Sequence, residues 1–86
     1  MWKVFISQDV QNFLDKQDNN LKERLKNRLQ KLKVSNPFHY LEHYEGEKYY
    51  KFRIGEYRAL IDVNFNEKVL KVQVLDHRKR IYKRKN

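Results

Sequence analysis

Tyr50-Lys51-Phe52-Arg53-Ile54-Gly55-Glu56-Tyr57-Arg58-Ala59-Leu60-Ile61-Asp62-Val63 decides how this chain folds. Two alternating runs meet at Gly-Glu, the pattern of two strands joined by a tight turn. Successive side chains on a strand point to opposite faces, so each run can be sorted by counting. In the first strand, expected over Lys48–Ile54, Phe52 and Ile54 face one way while Lys51 and Arg53 face the other. In the second, Tyr57–Phe65, the side chains of Tyr57, Ala59, Ile61, Val63 and Phe65 make an apolar face. Arg58, Leu60, Asp62 and Asn64 lie opposite. After the turn Asn64-Phe65-Asn66-Glu67 a third strand is expected over Lys68–Asp76, with Leu70, Val72 and Val74 on its apolar face. Val69, Lys71, Gln73, Leu75 and His77 take the other.

Upstream the period is helical. Trp2-Lys3-Val4-Phe5-Ile6 reads as a first strand, rich in residues that favour strands. Ser7 then caps a helix, with Asp9 favoured in its first turn by the helix dipole and Val10, Phe13 and Leu14 making one apolar stripe. Asp18-Asn19-Asn20 interrupts it. Asn20-Leu21-Lys22-Glu23 has the form of a capping box that opens a second helix, along which Leu21, Leu25, Leu29 and Leu32 recur at steps of four, four and three. That stripe is helix packing. Ser35-Asn36-Pro37 ends the hairpin, because the residue before a proline is pushed out of the helical region. The order is β-α-α-β-β-β, an α+β fold whose helical hairpin covers one face of a small, mainly antiparallel sheet.

The chain has 86 residues, enough for a single domain spanning 1–86 with one core. Its 20 Lys and Arg outnumber 11 Asp and Glu, for a net charge of +9. Such an excess steers phosphate polymers or anionic membranes toward the surface. The excess is uneven: residues 1–43 carry 8 basic and 5 acidic side chains, residues 44–86 carry 12 and 6. From His77 to Asn86 there is no acid at all. The absence of cysteine excludes a disulfide framework, a thiolate nucleophile and a Cys-based zinc site, and fits a reducing compartment. No apolar run approaches the roughly 20 residues of a membrane span, and the start is too short a hydrophobic stretch for a secretory leader. A cytoplasmic protein is expected.

If the apolar sheet face covers the helices, the other face collects Lys51, Arg53, Arg58 and Lys71, with His77 at its end. Cations gathered on one face suit a polyanion, since each neutralised phosphate releases counterions. Lysines on outward faces and edge strands also serve only to keep sheets soluble. Tyr44, Tyr49, Tyr50 and Tyr82 supply rings that can stack on bases. His39 and His43, near Pro37, have no acidic or cysteine partners in register, so no metal site is expected.

Tyr50-Lys51-Phe52-Arg53-Ile54-Gly55-Glu56-Tyr57-Arg58-Ala59-Leu60-Ile61 resembles the central pattern of RelE/ParE toxins. In that pattern an aromatic-basic-apolar-Arg strand runs through a Gly turn into Tyr-Arg and an apolar strand. Val72-Gln73-Val74-Leu75-Asp76-His77-Arg78-Lys79-Arg80-Ile81-Tyr82 is similar to the family's last strand and its His-Arg-…-Tyr ending. The resemblance spans nearly the whole chain. It implies the toxin of a type II toxin–antitoxin pair, of the RelE-type mRNA interferase branch. That branch cuts messenger RNA in the ribosomal A site by attack of a ribose 2′-hydroxyl on the adjacent phosphate, without metal or cofactor.

By the same resemblance the catalytic set is Lys51, Arg58, Arg78 and Tyr82. Lys51 would activate or stabilise the reacting 2′-oxygen, Arg58 and Arg78 would face the scissile phosphate, and Tyr82 would stack on a base or assist proton transfer. Arg53 would hold the backbone, with Lys71, His77 and Arg80 as further substrate contacts. Histidine titrates near neutrality, which makes His77 an additional acid–base candidate. The pattern departs in three places. Tyr49 stands where RelE-type enzymes have the first of two lysines, the turn is shorter, and the spacing from Arg78 to Tyr82 is tighter. The implied partners are an acidic, RelB-like antitoxin, the ribosome and messenger RNA, with no small-molecule substrate and no membrane. The antitoxin would cover the helical hairpin or the basic face with an acidic amphipathic helix or an added strand. Two other functions compete: a ParE-like inhibitor of DNA gyrase that is not a nuclease, and a plain RNA-binding module.

Overall fold

Ser7 ends the first strand and starts the first helix. In the computed structural model of the chain, which describes residues 1–43, 46 and 48–84, its hydroxyl accepts from the Val10 amide at 3.1 Å. The same hydroxyl donates to the Gln73 carbonyl at 2.8 Å, so one side chain caps the helix and fastens it to the last strand.

The elements run β1 (Lys3–Ile6), α1 (Gln8–Asp15), α2 (Asn19–Gln30), a single 3₁₀ turn (Pro37–Tyr40), β2 (Leu41–His43), β3 (Tyr50–Ile54), β4 (Tyr57–Asn64), β5 (Val69–His77) and α3 (Ile81–Arg84). The strands form one sheet in the order β1-β5-β4-β3-β2. Only β1 and β5 run parallel; every other neighbour is antiparallel. The α+β class and the hairpin-on-sheet arrangement are therefore as expected, with two additions, the short edge strand β2 and the terminal helix α3. The second helix opens two residues earlier than the capping-box reading put it. Asp18, not Asn20, is the cap, accepting from the Leu21 amide at 2.8 Å.

Leu25, Leu29 and Leu32 of the α2 stripe are buried against Val10 and Leu14 of α1 and against the sheet. Across β3, β4 and β5 the residues Phe52, Ala59 and Leu75 form one row of that core. Here the face assignment of β5 needs correction. A bulge leaves Gln73 as an extra residue, with Leu60 opposite Val74 and Ile61 opposite Val72. Beyond it the alternation inverts. Leu75, expected outside, is fully buried in the core. Val74, expected inside, stands in the outer row beside Leu60. His77 follows Leu75 to the helix side, opposite Tyr57, which itself meets Phe13 of α1 ring to ring at 6.2 Å. The Gln73 carbonyl, out of step with the ladder, is the one that Ser7 takes.

The outer face is not bare. Helix α3 packs on β5. Leu60 and Ile81 are both fully buried although neither belongs to the main core cluster. Helix α3 thus lies over the sheet face turned away from the helical hairpin. Tyr44 lies outside the described residues.

Candidate active site

The Gly55–Glu56 turn is the platform of the site. Gly55 has φ of 58°, as the first central position of a two-residue type II′ hairpin requires and as glycine alone adopts freely. Arg58, two residues past the turn, is only 7% exposed. Its Nη1 donates to the Gly55 carbonyl at 2.6 Å and the Tyr57 carbonyl at 2.8 Å. From the other side the Arg78 amide donates to the Glu56 carbonyl at 2.8 Å. Both arginines are thereby set by backbone groups of the same turn.

Strand register supplies the rest. Arg53 is the direct cross-strand partner of Arg58, and Lys51 that of Leu60 in the next row. Tyr82 of α3 comes over this surface, its ring centroid 5.9 Å from Lys51 Nζ. Lys51, Arg53, Arg58, Arg78, Lys79 and Tyr82 together line an open cavity of about 430 Å³. Like charges set directly opposite on two strands destabilise a sheet by roughly 0.2–1 kcal/mol; on its other side Arg58 stands opposite Asp76, a carboxylate that offsets part of the Arg53–Arg58 repulsion.

Three of these cations meet carboxylates. Glu42, the register partner of Lys51 on β2, places Oε2 3.7 Å from Lys51 Nζ and Oε1 3.7 Å from Arg53 Nη1. Glu56 Oε2 is 3.0 Å from Arg78 Nε. Both glutamates are more than half exposed, where an ion pair contributes only about 0–1 kcal/mol. A phosphodiester with charge-assisted bonds to two or more guanidinium groups outcompetes such contacts.

Five of the eight residues singled out in the sequence thus come together: Lys51, Arg53, Arg58, Arg78 and Tyr82. Three do not. Lys71 lies along the outer face between Phe5 and Asp62. His77 is turned to the helix side by the bulge, its ring 5.5 Å from that of Tyr57 and its Nδ1 accepting from the Lys79 amide at 3.1 Å. Arg80 points into a separate cleft against α1, with Nε 3.1 Å from Asp76 Oδ1. Lys79 was not singled out; its signal was membership of the acid-free run after His77. Among the described residues no group of three or more His, Asp or Glu is arranged to hold a metal ion.

The family described as ParE toxin of type II toxin-antitoxin system, parDE, matches residues 4–82. The chain belongs to the RelE/ParE toxin superfamily. The toxin's fold agrees with solved members. It superposes on the RelBE2 toxin–antitoxin complex of Mycobacterium tuberculosis with a TM-score of 0.76 at 18% identity, covering 90% of this chain and 98% of that one. On the archaeal RelE–RelB complex of Pyrococcus horikoshii the TM-score is 0.73 at 25% identity, over 92% and 97%. On the isolated E. coli RelE toxin it is 0.71 at 16%, over 90% and 84%. No curated protein matches the toxin's sequence.

Proposed function

We propose that this toxin is a ribosome-dependent endoribonuclease that cuts messenger RNA in the A site and so arrests translation in the cytoplasm. The observation that supports this most is the cavity lined by Lys51, Arg53, Arg58, Arg78, Lys79 and Tyr82. Five cations and one tyrosine converge there on a space that admits a phosphodiester. In the reaction the 2′-hydroxyl gives up its proton as its oxygen bonds to phosphorus, the bond to the 5′-oxygen breaks, and the departing oxygen takes up a proton. Negative charge grows on the non-bridging oxygens, where Arg58 and Arg78 stabilise it; both are oriented beforehand by the turn, so little reorganisation is needed. Lys51 stabilises the attacking oxygen, Arg53 and Lys79 hold the flanking backbone, and Tyr82 stacks on a base or relays a proton.

The partner in this reading is an acidic antitoxin. Its proposed seat is β1, an edge of the sheet. A groove of about 310 Å³ runs there between β1 and α2, lined by Val4, Phe5, Ile6, Leu14 and Leu29 with Lys26 at its side. Phe5 is 52% exposed. An added strand or an amphipathic helix with acidic flanks fits such a place.

Expression of the wild-type chain is expected to halt protein synthesis and leave messages cut within codons, read by primer extension. Removing one preorganised donor costs about 10²–10³ in rate, so Arg58→Ala and Arg78→Ala should abolish growth arrest at equal protein abundance. Undiminished toxicity in either variant would refute the proposed site. The family description names ParE, and the ParE-like resemblance implies one competing reading, a gyrase inhibitor. Loss of supercoiling activity by purified gyrase in the toxin's presence, with messages left intact, would establish it instead.

A further inference from the structure

We infer that Asp76 is a positioning residue for this site, acting through Arg80 and the main chain of His77 to set the corner from which Arg78, Lys79 and Tyr82 enter the cavity. The inference rests on the nuclease reading for its kinetic consequences; the corner itself is defined by hydrogen bonds.

Among the described residues only two charged side chains are buried, Arg58 and Asp76, the latter 5% exposed. They are direct partners across β4 and β5. A carboxylate out of water is costly unless donors surround it. Asp76 Oδ1 accepts from the His77 amide at 2.6 Å and from Arg80 Nε at 3.1 Å. Asp76 does not line the basic cavity; it lines the cleft of about 340 Å³ on the α1 side, with Arg80. It nevertheless shares the Arg58 face of the sheet, and its hydrogen bonds from the His77 amide and Arg80 run to the corner.

What it holds is a short, sharply bent segment. The Arg80 amide donates to the His77 carbonyl at 2.8 Å, the Lys79 amide to His77 Nδ1 at 3.1 Å, and the Lys83 amide to the Arg80 carbonyl at 3.0 Å. Along this bend Arg78 and Lys79 reach into one cavity and Arg80 into the other, so the chain is held from both sides. Glu56 and the turn hold Arg78 on the substrate side; Asp76 holds Arg80 on the far side. Arg80 is 62% exposed at the side chain, so its pairing adds little to the core. Its effect falls on the direction in which the corner leaves β5, hence on where α3 lays Tyr82 beside Lys51.

Asp76→Asn keeps the size and an acceptor for the His77 amide but removes the charge that holds Arg80. A misplacement of about 1 Å at a reacting group costs up to roughly a hundredfold. Cleavage in a ribosome-containing extract should accordingly slow by roughly ten- to a hundredfold in kcat, with KM for ribosomes changed by less than about threefold. Residues acting through one element are not additive. The loss should shrink when Arg78 or Tyr82 is already alanine, yet persist in full beside Lys51→Ala, since Lys51 sits on β3. Equal losses in all three backgrounds would show a general structural role and overturn the inference. Should Asp76→Asn not fold, Arg80→Gln carries the same cycle, and Arg80→Lys should recover part of the rate. Amide spectra keep the two proposals apart. Shifts confined to 77–83 in Arg80→Gln support the corner even if the wild type cuts no RNA. An unchanged spectrum there overturns it even if the wild type is an active nuclease.

Discussion

Strand β4 has a hairpin turn at each end, and the two are held by different means. At the Asn64 end the turn's own bonds, from the Glu67 amide to Asn64 Oδ1 at 3.0 Å and from Asn64 Nδ2 to Glu67 Oε1 at 3.2 Å, are backed by aromatic packing. Phe38 and Phe65 stack with centroids 5.4 Å apart and planes 13° from parallel, and Trp2 meets both edge-on at 5.1 and 6.0 Å. At the Gly55 end the fastening is polar: an arginine bonded to two carbonyls, an amide to a third, and glutamates beside the outer cations. Ring packing gains from apolar burial and quadrupole geometry, and the rings offer a ligand no charge. The polar end gains less per contact but keeps oriented N–H groups and mobile counter-charges that a phosphate can replace. One end therefore carries stability and the other chemistry.

The strongest way to break that division is Trp2→Ala. Trp2 is buried, and loss of such a ring costs about 3–5 kcal/mol, a large part of what a chain of this length has. Urea unfolding should show that loss, while RNA cleavage per folded molecule stays at the wild-type value. A cleavage defect beyond the unfolded fraction would mean that the two ends are coupled. A smaller effect of the opposite kind is expected from Glu42→Gln. Without the carboxylate shared by Lys51 and Arg53, binding of a short single-stranded RNA should strengthen by about two- to fivefold, the equivalent of an exposed ion pair, and depend more steeply on salt. Its midpoint of unfolding should hardly move. Weaker binding would indicate that Glu42 orders the cations rather than competing for them.

The smallest expected effect belongs to neither end. Asp15 has its carboxyl held below the usual 3.8 by hydrogen bonds from Lys22 and then Gln11. A lowered folded value means stability present above about pH 4 and lost as pH falls through it. Asp15→Asn should therefore melt slightly lower than wild type at pH 6, and the difference should vanish once the pH has fallen through the lowered value. A difference that persisted in acid would assign the effect to helix packing instead of charge.

Elements with long periodic signals were legible in the chain: the two helices from their leucine and Val10–Leu14 stripes, and β3 and β4 from strict alternation around Gly55. What escaped was structure defined by pairing alone. Strand β2 has three residues and exists through its register with β3. Asp18, Asn19 and Asn20 are all capable caps, and the exit of the chain from α1 chose among them. The bulge left no mark because Val74 and Leu75 are both apolar, so either phase of β5 reads as sensible. That one ambiguity sent His77 to the wrong face. In the site, alternation placed Lys51, Arg53 and Arg58 together, the family resemblance added Arg78 and Tyr82, and Lys79 and Arg80 were indistinguishable in a run of like charges until the corner after His77 separated them.

The extra residue in β5 works as a change of step for everything after it. With Gln73 set outside the ladder, one strand feeds Leu70 and Val72 to the helices early and Leu75 late, and releases the chain at the right rotation for its last turns to close over Leu60. Were Gln73 paired as an ordinary residue, Leu75 would point to water while the arginine-bearing exit rotated by about half a turn. Any grafting of this ending onto another sheet must therefore carry the bulge at Gln73 along with the residues from Val72 to Arg78.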